Sequence, residues 1–113
     1  MSEPNQIDIN SLHQTVLQET ENDSLLEIDP NFYRNLSEFI GNLKKQEFDG
    51  VESKIKDALI ETATELTSLL INIRLEKISK SEDIQFGNLL DEEKFILDSQ
   101  EEQRERIEMI LSA

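Results

Sequence analysis

This chain has no cysteine and no tryptophan, and only three glycines, two prolines, one histidine and one tyrosine in 113 residues. Without cysteine there can be neither a disulfide framework nor a thiolate metal site, and a reducing intracellular setting is expected. Turn-forming residues are scarce and aromatics amount to 5%. A sheet protein of this length needs more of both, so helices are favoured. No apolar run approaches the ~20 residues that span a bilayer, and the opening residues do not form a basic-then-apolar leader. The expectation is a soluble protein, cytoplasmic or nucleoid-associated, without membrane contact.

Positive charge is scarce too. Twenty-five acids stand against 11 bases, a net charge of −14. Residues 1–29 hold seven acids and no Lys or Arg, and residues 91–113 hold eight acids against three bases. The middle, 30–90, is nearly balanced, with ten acids and eight bases. A phosphate backbone is bound through clustered Lys and Arg that release counterions. The acidic ends would repel it. Lys44, Lys45, Lys54 and Lys56 form the one small basic cluster, read as a solvated helical face. Little or no direct nucleic-acid binding is expected.

The usual chemistries also lack their residues. With a single His13, read as a solvated side chain on a polar acidic segment, and no cysteine, an ordinary triad is not expected, and one histidine rules out paired Glu-x-x-His diiron ligands. Acid pairs such as Glu92/Glu93 and Glu101/Glu102 are adjacent, so on a helix they point apart. There is neither a Gly-bearing calcium loop nor a Gly-rich phosphate loop. No catalytic, cofactor-binding or metal-binding residue is expected.

What is present is helical period. Asp8 can cap a helix over Ile9–Glu21, with Ile9, Leu12, Val16 and Leu17 as its apolar stripe. Asp29-Pro30 reads as a second start: the carboxylate accepts orphan N–H groups and Pro30 fits the first helical position. Phe32, Leu36, Phe39, Ile40 and Leu43 then fall on one face, with Tyr33 at its edge and its hydroxyl in water. Gly41 costs this helix ~1 kcal/mol, a cost explained by close approach of another helix. Asp49-Gly50 marks a turn. From Val51 to Ile78 runs a stretch without Pro or Gly, about 42 Å as a helix. Around Leu66–Leu75 its apolar residues spill onto more than one face, which calls for cover on more than one side. Arg74 within this run is either a snorkelling surface residue or the partner of a carboxylate across a helix–helix interface. After a connection over Ser79–Asn88, with Gly87-Asn88 as its turn, an acidic first turn at Asp91-Glu92-Glu93 opens a last helix. That helix carries Phe95, Ile96, Ser99, Gln103, Ile107, Ile110 and Leu111. The expected fold is all-α, a four-helix bundle-like domain with one long central helix.

Three motifs in this order carry a resemblance: the Phe-Tyr helix start at Asp29–Tyr33, the Arg-x-x-Lys-Ile at Arg74–Ile78, and the Leu-x-Glu-Glu at Leu90–Glu93, all preceded by a short N-terminal helix. Over nearly its whole length the chain resembles the helical domain of GINS subunits, accessories of the replicative helicase, of the archaeal type in which that domain comes first. The resemblance implies a single helical domain over 1–113 with the family's C-terminal β-rich domain absent or cut away. It implies a non-enzymatic scaffold that assembles as a tetramer with itself or a sister subunit. That assembly would link MCM helicase to a RecJ-like factor at replication forks. The subunit interface is expected on the long helix at Leu66, Leu70, Ile71, Ile73, Arg74, Leu75 and Ile78. The alternative is a stand-alone acidic bundle that regulates a protein partner or mimics nucleic acid.

Overall fold

The computed structural model describes residues 7–47, 49–80 and 88–112. Among them the chain is all-α, with α1 (Ile9–Glu21), α2 (Phe32–Lys45), α3 (Val51–Lys80) and α4 (Asp91–Ser112) and no strand. Expected positions 81–87, including Gly87, lie outside the described residues.

Local chemistry sets most boundaries. Asp8 caps α1 by accepting from the Ser11 amide at 2.8 Å, and the Ser11 hydroxyl accepts from the Asp8 amide in return at 2.9 Å. This reciprocal box satisfies two N–H groups that a bare helix end would leave orphaned. The second start differs from expectation. Pro30 lies in a turn outside the helix, Asn31 is the N-cap, and α2 begins at Phe32. The Asp29 carboxylate still accepts an orphan amide, that of Asn31 at 2.8 Å, and its carbonyl takes the Phe32 amide at 2.9 Å. Asp29-Pro30 therefore shapes the approach to the helix, two residues before it opens. Gly50, at φ 61°, occupies the left-handed region that side-chain-bearing residues avoid, and α3 starts immediately after it.

Helix α3 is the spine. Helix α1 lies along it as its main partner, while α2 and α4 touch it more briefly. One apolar cluster joins Leu12 and Val16 of α1, Phe32 and Leu36 of α2, Ala63 and Leu70 of α3, and Leu90. A second joins Leu25, Leu75, Ile78 and Leu89, with Ile96 and Leu97 of α4 packed against it. The Cα radius of gyration is 17.1 Å and the extents are 55 × 32 × 21 Å. A compact chain of this length has a radius near roughly 13 Å. The long helices run past the core, and among the described residues their far turns stay exposed.

Candidate functional site

The most organised polar site is buried where α1, α3 and α4 meet. Arg74, Glu19 and Glu93 are each 0% exposed. The Arg74 Nε donates to Glu93 Oε2 at 2.5 Å, and its Nη1 donates to Glu19 Oε1 at 2.6 Å. The same guanidinium reaches two backbone carbonyls, Leu26 at 2.9 Å and Asn88 at 2.6 Å. Lys77, one turn on, donates to the other Glu19 oxygen and to the carbonyls of Glu19 at 2.6 Å and Ser24 at 3.0 Å. Two cations and two carboxylates cancel, so the cluster is neutral. A guanidinium fork suits this task, because its rigid donors meet several acceptors at once.

Each carboxylate has a further duty. Glu93 accepts the Tyr33 hydroxyl at 2.6 Å and, through Oε1, the Leu90 amide at 2.9 Å. That second bond is half of a capping box at the start of α4. Glu19 Oε2 accepts the Leu26 amide at 3.3 Å. No buried side-chain nitrogen or oxygen among the described residues lacks a partner. Burial by itself would lower the Arg74 pKa, but the carboxylates of Glu93 and Glu19 outweigh it and push it up. The Tyr33 phenol is pushed far up, first by burial and then by its bond to Glu93. Both groups are locked in the protonation state that holds the cluster together.

These contacts decide between the two readings of Arg74 in favour of pairing. They also correct the expectation for Tyr33, whose hydroxyl is bound to a carboxylate and not to water. Gly41 is corrected as well: a Cβ there would meet nothing within 4 Å. It lines an open groove of ≈ 480 Å³ between α2 and α3, with Ile40, Lys44 and Thr64.

The residues expected at a subunit interface divide. Leu70, Arg74, Leu75 and Ile78 are buried within the chain. Leu66, Ile71 and Ile73 are half-buried and packed against its own clusters. The bare apolar surface lies beside them. On α3 it comprises Val51, Ile55 and Leu69, the last 47% exposed. On α4 it comprises Phe95, Ile107, Met109, Ile110 and Leu111, the last 80% exposed. Four of the seven are therefore filled by the chain's own core, and the apolar residues left most exposed are different ones.

No family model, no curated protein and no solved structure matches this chain. Its chemistry must therefore be read from the molecule. No described helix is long and apolar enough to cross a membrane, and no group of three or more metal-ligating residues lies among the described residues. The buried cluster is neutral, and Arg74, Glu19 and Glu93 within it have no exposure. It can hold three helices in fixed relation, leaving contact with other molecules to the uncovered faces.

Proposed function

We propose that this chain is a non-enzymatic scaffold subunit of GINS type, which assembles through its long helices and links MCM helicase to other proteins at the replication fork. A single observation carries the reading. The segments on which the resemblance rests are distant in sequence, yet they meet at one buried point: Tyr33 from the Phe-Tyr start, Arg74 and Lys77 from Arg-x-x-Lys-Ile, and Glu93 from Leu-x-Glu-Glu. Motifs that agree only by accident of composition have no reason to converge on one hydrogen-bonded cluster. The same cluster explains why those residue types stand at that spacing.

The assembly part of the proposal draws on the exposed apolar faces of α3 and α4, which a chain working alone would keep small. Partners expected on this reading are the chain itself or a sister GINS subunit in a tetramer, MCM helicase, and a RecJ-like factor. No cofactor enters it. The test is light scattering of the purified chain, alone and co-expressed with a sister subunit, followed by capture of MCM helicase on the assembly. An assembly several times the chain's mass that retains the helicase is expected. A monodisperse monomer at micromolar concentration, indifferent to both, refutes the reading. Salt-sensitive binding of that monomer to a basic protein would support the acidic-mimic alternative in its place.

A further inference from the structure

Helix α4 is held differently from the other three. Its 22 residues bury a single side chain, and that side chain is a carboxylate, Glu93. Ile96 and Leu97 are half-buried against the second apolar cluster, and residues 98–112 are all exposed. Two buried leucines just ahead of the helix, Leu89 and Leu90, complete the apolar part of the attachment. The rest is polar. Arg74 and Tyr33 donate to the Glu93 carboxylate at 2.5 and 2.6 Å, and Arg74 Nη2 donates to the Asn88 carbonyl at 2.6 Å. The Asn88 side-chain amide donates in turn to the Leu25 carbonyl at 3.1 Å.

What lies beneath α4 is nearly complete without it. Leu12, Val16, Phe32, Leu36, Ala63 and Leu70, the buried members of the first cluster apart from Leu90, come from α1, α2 and α3. Glu19 binds both Arg74 and Lys77, and the carbonyls of Leu26 and Ser24 take donors from the same two cations. None of these bonds involves α4. The Arg74 edge that α4 covers carries Nε and Nη2. When α4 is lifted away, water reaches that edge and the Glu93 carboxylate alike. Neither charge is then left buried and unpaired, which is the costly way to break such a pair. An element with few buried apolar groups opens at a lower free energy than the core it rests on.

We propose that α4 is a releasable clasp. In the native chain, residues 88–97 lift off as a unit while α1, α2 and α3 stay folded, and the Glu93 carboxylate is the catch. Closed, the clasp covers Leu25, Leu75 and Ile78 and engages the Arg74 fork and the Tyr33 hydroxyl. Open, it uncovers an apolar patch beside a guanidinium edge and a phenol, three features that the closed chain hides. Release takes place within one chain and is independent of the scaffold role.

Amide hydrogen exchange of the full chain, read residue by residue, tests the clasp. In the parent, amides 94–97 should exchange about tenfold or more faster than α3 amides 70–74. Their exchange should also depend less on urea, because lifting one helix exposes less surface than unfolding the chain. Two variants separate release from other routes. Ala63 lies about 16 Å along α3 from Arg74, in the part that stays folded. Ala63→Gly weakens the closed and open states alike, so it should quicken 70–74 by about threefold and leave 94–97 unchanged. Tyr33→Phe removes a contact to the catch from across the interface without altering the α4 sequence. It should quicken 94–97 by about fivefold or more. Should Ala63→Gly fail to fold, the urea dependence of the parent decides in its place. Equal rates and equal urea dependence for the two sets would overturn the clasp, as would an Ala63→Gly effect on both. Amides 94–97 indifferent to Tyr33→Phe would overturn it too, since α4 would then fray by itself and not through Glu93.

Discussion

Two kinds of region in this molecule treat charge and grease in opposite ways. Where α1, the latter part of α3 and the start of α4 meet, acids and bases are buried and paired, and Leu12, Leu70 and Leu90 close around them. On the first turns of α3 and the last turns of α4, Val51, Ile55, Ile107, Met109 and Leu111 lie open while the acids beside them are solvated. The contrast shows that burial here follows partnership and not residue class. A charge with four acceptors can sit at zero exposure, and a leucine with no facing helix cannot be buried at all.

The largest effect should come from breaking the buried end. Arg74→Ala leaves Glu19 and Glu93 uncompensated and is expected to cost about 3–5 kcal/mol, measured by urea denaturation. Adding Glu19→Gln and Glu93→Gln to it should recover part of that loss, because neutral amides tolerate burial better than unpaired carboxylates. A single variant as stable as the parent would mean that the cluster contributes nothing to the fold.

Next is Tyr33→Phe, expected to cost about 2 kcal/mol for a hydrogen bond to a charged acceptor. The phenol's pKa in the fold is raised above its ordinary value of 10.0. Its contribution is therefore fully present below about pH 10 and is lost as pH rises beyond that, at up to ~1.4 kcal/mol per pH unit. Because Tyr33 is the sole tyrosine and there is no tryptophan, tyrosinate absorbance reports this one group. The folded chain should resist ionisation until it unfolds, and Tyr33→Phe should remove that part of the alkaline slope. A phenol titrating near pH 10 in the folded chain would place it outside the cluster.

Smaller effects sharpen the comparison from the open side. Gly41→Ala should stabilise by about 0.5–1 kcal/mol, since the helix gains propensity and the added methyl meets only open space. A loss there would reveal a neighbour. Leu111→Ala, in chain dilute enough to be monomeric, should change stability by no more than about 0.5 kcal/mol, as at any exposed site. The same substitution in a core leucine would cost several times that.

How legible was this in the sequence? The bounds of α1 and the start of α3 were, because Asp8 with Ser11 and the Asp49-Gly50 turn act within a few residues. The long α3 was legible from period alone. The buried cluster was half visible: Arg74 among apolar neighbours announced a choice, but its partners did not announce themselves. Glu19 lies 55 residues from Arg74 and Glu93 lies 19 away, and in so acidic a chain neither stands out by composition. A positional signal existed. Glu19 follows Leu12 and Val16 at helical spacing, on the stripe that should be apolar, and Glu93 sits between Leu89 and Ile96 in the same way. Charges of opposite sign at core positions on three helices predict one another. Which apolar residues stay exposed was illegible for a related reason: period shows that a helix is greasy on two sides, but which side its own chain covers depends on α1 and α4.

The Glu93 carboxylate also has a bearing on the order in which the fold can close. Until Glu93 is in place, Arg74 can have only Glu19 as a carboxylate partner in the cluster and the Tyr33 phenol has none there. Joining Tyr33 to Glu93 closes a loop of 60 residues, a long-range step whose entropy must be met before any reward arrives. The cluster around Arg74 and Tyr33 is therefore complete only when the last helix docks on the other three.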